Sequence, residues 1–376
     1  MKLSEHKKLG IIINPYAGMG GAVGLKGTDG EDILKKAIQL GAKPISYLRA
    51  IEVLNELKGI KSSIKIITYP LEMGENIVKK MGFTPTVIGN IKTGKTTAKD
   101  TINAAREMRD LNVKLIIFFG GDGTAQDMLN AISKEIPVLG VPTGVKIHSS
   151  CFALNARKAA QIAMRFLWDE LPVLEAEVMD VDEQAFRDGI LSTELKGYLL
   201  VPYEPSLLQE SKMATPTTID EKENQIRVAR HVIRHFKNDL YYILGPGSTV
   251  KTICELLKID KSLLGVDVIY NKKLIAKDVN EKELLKIINS NLSKIIVSPI
   301  GQQGIILGRG NLQISPKVIN KVGKENLIII ATHYKISNLP NGCMMIDTRD
   351  LDLDAKLKGY IRVIVDNNEL RIVKIK

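Results

Sequence analysis

One segment constrains this chain more than any other. The run Leu115-Ile116-Ile117-Phe118-Phe119 passes directly into Gly120-Gly121-Asp122-Gly123-Thr124. Five consecutive apolar residues fit a strand buried on both faces, as in a parallel sheet covered by helices. The glycines let the backbone turn sharply and approach phosphate oxygens. A helix predicted from Ala125 to Ser133 follows, and unpaired N–H groups at a helix start attract anions. An Asp in such a loop repels phosphate, so Asp122 points to a different role, either taking a proton from a hydroxyl or holding magnesium. The plain alternative is a turn with Asp122 as N-cap. The segment is neither a Walker A sequence nor a GxGxxG fingerprint.

The first 150 residues repeat this strand–helix alternation. Strands are predicted at Leu9–Ile13, Ile64–Thr68, Thr86–Ile88, Leu115–Phe119 and Pro137–Val141. Helices are predicted at Glu31–Leu40, Glu72–Met81, Thr97–Leu111 and Asn155–Trp168, with Trp168 in the core. This is a doubly wound α/β pattern, in which ligands bind beyond the carboxyl ends of the strands. Further on, strands become frequent, and the chain closes with a hairpin of Gly359–Val365 and Leu370–Ile375. The expected fold is therefore an α/β, Rossmann-like domain over 1–150 and a β-rich (α+β) domain over 151–376. The tail of the second is free to pack back on the first.

Composition removes several classes of protein. With 44% hydrophobic and 25% charged residues, the chain of 376 residues is neither disordered nor fibrous. Mean hydropathy is +0.01, and no apolar run approaches the roughly 18 residues of a membrane helix. Met1 to Lys8 lacks an apolar h-region, so no signal peptide is predicted. Cys151, Cys254 and Cys343 are odd in number and far apart, which suits a reduced cytoplasmic protein. Lys and Arg outnumber Asp and Glu by 53 to 42, but the basic residues are scattered and aromatics make up only 5%. That favours a phosphate-bearing small ligand over nucleic acid or a membrane surface.

Other glycine-rich segments follow predicted strands. Asn14 and Pro15 end the first strand and lead to Gly18, Gly20 and Gly21, a candidate phosphate loop, although Asn14 alone equally suits an Asx-turn. Lys26 and Asp29 lie just beyond it. Thr143-Gly144-Val145-Lys146 follows the strand ending at Val141, with Lys146 a candidate phosphate cation and His148 a candidate ribose or phosphate contact. Asp127 is either a second carboxylate near magnesium or a helix-dipole partner. Asp180 and Asp182 alternate on a strand and so share a face. Gly245-Pro246-Gly247-Ser248-Thr249 is a second strand–glycine–helix arrangement, in which Ser248 and Thr249 also serve as N-caps. Arg309 and Asn311 stand in a third glycine-rich stretch, Gly301 to Gly310.

Gly120 to Thr124 resembles the GGDGT signature of the NAD kinases, the diacylglycerol and sphingosine kinases and the phosphofructokinase-like proteins. Asn14 to Gly21, Gly24 to Gly30, Gly140 to Ser149, Asp180 to Glu183, Gly245 to Thr249, Pro299 to Gly304 and Gly308 to Pro316 together resemble the archaeal-type ATP-NAD kinase-like family, over nearly the whole chain. Val145 and Gln302 depart from its commoner Thr and Gly. The resemblance implies that NAD binds between the domains and that Asp122 contacts the adenosine ribose and acts as base toward its 2′-hydroxyl. It also implies that Gly121, Gly123 and Thr124 line nucleotide phosphates. ATP or polyphosphate is the implied donor, with Mg²⁺ held mainly through donor phosphates, and a homo-oligomer is implied. Three rivals remain: a GGDGT kinase acting on a lipid or nucleoside hydroxyl, a nucleotide-binding regulator without catalysis, and a nucleic-acid binder, whose mark would be affinity with base preference that survives high salt. The lipid reading lacks a basic amphipathic anchor. On this reading Asp122→Asn keeps the loop geometry and loses turnover.

Overall fold

The structure, a computed structural model, describes residues 6–23, 25, 31–144, 147–181, 193–204, 208, 218–289, 291–300 and 304–376. The described chain forms two compact units: one takes the residues up to 19 and those from 31 to 208, the other 20–23, 25 and those from 218 onward. Residues 151–208 thus belong to the first unit, where the sequence placed a boundary at 150.

In chain order the first unit contains β1 (Lys7–Ile13), α1 (Glu31–Gln39), α2 (Ser46–Leu57), β2 (Ile64–Thr68), α3 (Glu75–Lys80), β3 (Thr86–Val87) and α4 (Ala98–Asp110). It continues with β4 (Leu115–Gly120), α5 (Asp122–Ile132), β5 (Val138–Pro142), α6 (Ala156–Leu167), β6 (Val173–Val181) and β7 (Thr193–Pro202). Its main sheet runs β3-β2-β1-β4-β5, every pair parallel. The strand period of two divides its residues between two cores. Leu9, Ile11 and Ile13 with Leu115, Ile117 and Phe119 meet α2 and α6 on one face. Ile12, Ile116 and Phe118 meet α4 and α5 on the other. The antiparallel hairpin β6–β7 packs on this second face through Ala176, Val178, Leu199 and Val201, which is why the first unit extends past 150.

The second unit contains α7 (Ile219–Arg234), β8 (Tyr241–Leu244), α8 (Ser248–Leu256), β9 (Asp267–Tyr270), β10 (Lys273–Ala276), α9 (Glu281–Ile287), β11 (Ser293–Val297) and β12 (Ile305–Leu307). After these come α10 (Pro316–Val322), β13 (Leu327–Ile330), α11 (His333–Ser337), β14 (Cys343–Ile346), α12 (Leu351–Leu357), β15 (Gly359–Asp366) and β16 (Glu369–Ile375). Nine strands form one mixed sheet, β10-β9-β8-β11-β13-β15-β16-β14-β12. β8, β11, β13 and β15 are parallel neighbours, and the predicted closing hairpin forms as β15–β16. β16 lies inside this sheet beside β14, so the tail completes the second unit's own sheet, where the sequence left it free to pack on the first. α7 and α8 cover one face and α9, α10 and α12 the other.

Three local expectations change. α2, absent from the sequence reading, is a full helix that buries Ala50, Val53, Leu54 and Leu57. Helix α5 starts at Asp122, inside the glycine motif, instead of at Ala125. Trp168 caps the end of α6 and is 42% exposed, so it is not core.

Candidate functional site

β1, β4 and β5 end side by side, and the motif residues emerge from these ends. Asn14 follows β1; its backbone N–H donates to Phe119 O of β4 at 3.0 Å. Its side chain works in two directions. Oδ1 accepts Tyr16 N–H at 3.1 Å, the Asx-turn weighed from sequence, and Nδ2 donates to Thr124 Oγ1 at 3.0 Å. The first strand's loop is thereby fastened to the start of α5. Pro15 is buried beside it.

Gly120 ends β4 and Gly121 is the N-cap of α5. A Cβ at Gly120 would lie 2.4 Å from Thr124 Cβ, so only glycine fits under the helix start. A Cβ at Gly121 would meet nothing within 4 Å, so the backbone there faces open space. Gly123 lies in the first turn of α5 and Thr124 is buried there.

Asp122 is not an N-cap. Its carboxylate reaches the segment after β5, where Oδ2 accepts His148 N–H at 2.8 Å and Oδ1 accepts Ser149 N–H at 3.0 Å. A carboxylate oxygen has a second lone pair, so the group can still accept from a ligand hydroxyl while the loop fixes its orientation. This corrects the expectation for Asp122→Asn: the amide would set an NH₂ against one of two backbone N–H groups. Ser149 in turn fastens the segment to β6, its Oγ accepting Met179 N–H at 2.9 Å. Beneath the site, burial and then the charge of Asp122 push the Cys151 thiol well above its ordinary range, so it is no nucleophile.

Thr143 is buried and donates its N–H to Gly120 O at 3.0 Å, which joins the β4 and β5 loops. Gly18 has φ +77° and packs its Cα against this segment; a Cβ there would lie 2.0 Å from Thr143 O. Gly20 and Gly21 lie in the short 3-10 turn Met19–Val23. Gly144 borders open space. The His148 ring is buried at 3% exposure, and its backbone amide is the group that holds Asp122. Lys26, Asp29, Val145, Lys146 and Asp182 lie outside the described residues, while Asp180 faces Lys196 at 3.5 Å.

Asp127 shares α5 with Asp122, but five residues of helix rotate it by about 140°, so the two carboxylates point apart. Among the described residues no group of three His, Cys, Asp or Glu side chains could hold a metal. A divalent ion carried on donor phosphates asks for only one or two protein oxygens.

In the second unit, Gly247 (φ +110°) is the N-cap of α8, with no side-chain cap bond. Ser248 and Thr249, expected as caps, are the first helical residues instead. Thr249 is fully buried, and its Oγ1 has no hydrogen-bond partner among the described residues. Asn311 spans its own turn, accepting Gly308 N–H and donating to Ile306 O, both at 2.9 Å, and Arg309 is buried beside Asp347. Gly301 lies outside the described residues.

Residues 9–171 match the family model for the ATP-NAD kinase N-terminal domain, and residues 237–375 that for the ATP-NAD kinase C-terminal domain. A search of the curated proteins gave no match. No helix among the described residues is long and apolar enough to cross a membrane. The two matches follow one another along most of the chain, one on the parallel α/β sheet with its GGDGT turn and one on the large mixed sheet, and the chain belongs to the NAD kinase-like family.

Proposed function

We propose that this kinase transfers a phosphoryl group from ATP, or from polyphosphate, to the adenosine 2′-hydroxyl of NAD and so produces NADP. The observation that carries the reading is the fixed carboxylate of Asp122, held by the amides of His148 and Ser149 at the carboxyl edge of a parallel sheet. In the step, the 2′-oxygen forms a bond to the terminal phosphorus, the bond from that phosphorus to the bridging oxygen breaks so that ADP or the shortened polyphosphate leaves, and the hydroxyl proton passes to Asp122. Transition states of this kind are loose, so positioning and charge neutralisation do most of the work. The open backbone at Gly121 and the first-turn amides of α5 supply donors for phosphate oxygens. The Asn14–Thr124 bond holds the neighbouring loop in register with them. Mg²⁺ bound to donor phosphates would supply further neutralisation of charge. In the second unit, the Gly247–Thr249 turn has the same strand–glycine–helix form and suits a nucleotide phosphate.

The test follows NADP formation with an NADP-specific dehydrogenase, with ATP and polyphosphate as alternative donors. Asp122→Asn lowers kcat by about 10²–10⁴-fold. Its altered bond to the 147–149 segment appears separately, as a raised KM. A variant with full kcat removes Asp122 from the chemistry, and wild-type protein that makes no NADP with either donor sinks the reading.

A further inference from the structure

β8, β11 and β13 are parallel neighbours, with Leu244 opposite Ile296 and Val297 opposite Ile329. Their carboxyl ends release Gly245, Ser298 and Ala331 side by side, about 4.8 Å from strand to strand. Gly245 packs against β11 there; a Cβ on it would lie 3.0 Å from Val297 Cγ1.

Lys335 enters this corner from α11. It is 5% exposed, and its Nζ donates to Ser298 Oγ and Pro299 O, each at 3.0 Å. Both acceptors are neutral. Among the described residues no carboxylate lies within ion-pairing distance of the ammonium. Glu221 of α7, also buried, acts on it only at longer range and is itself bonded to Gln225. A buried cation is ordinarily paired. A second group is also unspent at the carboxyl end of β8: the buried Thr249 hydroxyl on the first turn of α8. The amides of that turn have no acceptor within their own helix. The backbone leading into it is accessible, since Pro246 and Gly247 are half-buried and Ser248 is exposed.

We propose that Lys335, the Thr249 hydroxyl and the first-turn amides of α8 together bind one phosphoryl group, so that the second unit carries its own phosphate site. Ammonium, hydroxyl and helix N–H donors are the set that a phosphate dianion requires. The inference rests on the assignment of the Gly247–Thr249 turn to a nucleotide phosphate, and it names the side chains that join the turn in holding it. No residue pattern around Lys335 announced it in the sequence, because the lysine is a partner of Ser298 only through the fold.

Inorganic pyrophosphate is the probe, used on the full chain. Lysine ¹³Cε NMR follows the titration of Lys335, its signal assigned by loss in Lys335→Arg, with and without pyrophosphate. Pyrophosphate moves the Lys335 midpoint upward, and Lys335→Met weakens pyrophosphate binding at least tenfold in calorimetry without lowering the melting temperature of the unliganded protein. A midpoint that pyrophosphate leaves in place, together with undiminished binding by Lys335→Met, overturns the site. If Lys335→Met does not fold, Thr249→Val with the wild-type titration decides the matter by the same criteria. Competition by ATP, NAD and tripolyphosphate against pyrophosphate then identifies the source of the phosphoryl group. These readouts are independent of turnover: protein that binds pyrophosphate through Lys335 but makes no NADP counts against the proposed reaction and not against the site.

Discussion

At Gly120 a methyl group has no room, and at Gly121 it has too much. Gly120→Ala drives Cβ to 2.4 Å from both Cβ and Oγ1 of Thr124, so Thr124 must move and its bond to Asn14 is strained. The cost is about 1–3 kcal/mol, read as a lower denaturation midpoint. Gly121→Ala meets nothing within 4 Å at an ordinary negative φ, so it leaves the midpoint near wild type. Its methyl group instead projects toward the space where a phosphate would approach the α5 amides, and NADP formation falls. Equal midpoints for the two variants would contradict this division. The same contrast shows how far single residues were legible. Glycine after a buried strand marks a turn in any sequence, and Asp122 stood out because a carboxylate is unusual there. Its hold on His148 and Ser149 was not legible, because those amides are 26 and 27 residues away and any backbone N–H looks alike in sequence.

Elements were legible where their burial has a simple period. The five main strands of the first sheet fall where apolar runs predict, and the closing hairpin follows from its alternation. α2 carries its signal at Ala50, Val53, Leu54 and Leu57, the spacing of a helical stripe, but a modest one between polar neighbours. Polar fastenings between elements carry no such period. Asn224 of α7 is 4% exposed; its Oδ1 accepts His333 N–H of α11 at 2.8 Å and its Nδ2 donates to Val365 O of β15 at 2.9 Å. One side chain therefore ties three elements at the edge where Lys335 enters. Asn224→Ala leaves a backbone donor and a backbone acceptor without their partner and costs about 2–4 kcal/mol. Hydrogen exchange locates the loss: the His333 amide exchanges faster, while the first unit's strands keep their protection. Unchanged protection at His333 would show that the side chain is not the fastening.

At the scale of the molecule, the buried groups that titrate in the alkaline range set a pH profile. Burial lowers the Lys335 ammonium to about 8 from an ordinary 10.5. Between these values the unfolded chain holds more protons than the folded one, so this group makes stability rise with pH, and below about 8 its cost is constant. Lys261 is shifted in the same direction by burial, partly offset by Asp267. Cys254 opposes them: burial raises its thiol from 9.0 to about 11, so the unfolded chain loses that proton first and stability falls through this window. Burial and then the bond to Glu107 raise the Tyr69 phenol well above its ordinary 10.0, which adds a fall above about pH 10. The opposing slopes put the maximum on the alkaline side, above the onset of the lysine rise at about pH 8. Denaturant midpoints at several values from pH 7 to 10.5 check this, and Lys335→Met isolates the rising limb. At pH 7 the variant escapes the cost of a buried charge and gains roughly 1–3 kcal/mol over wild type in the absence of phosphate. The gain shrinks as pH climbs from 8 to 10.5, because the wild-type lysine then sheds its proton in the folded state. Saturating pyrophosphate at pH 7 removes the gain as well, since an anion bound to Lys335 stabilises only the wild type. A gain that is constant across the pH range would mean that Lys335 titrates in the folded chain as it does in the unfolded one, and the rising limb would then belong to another group.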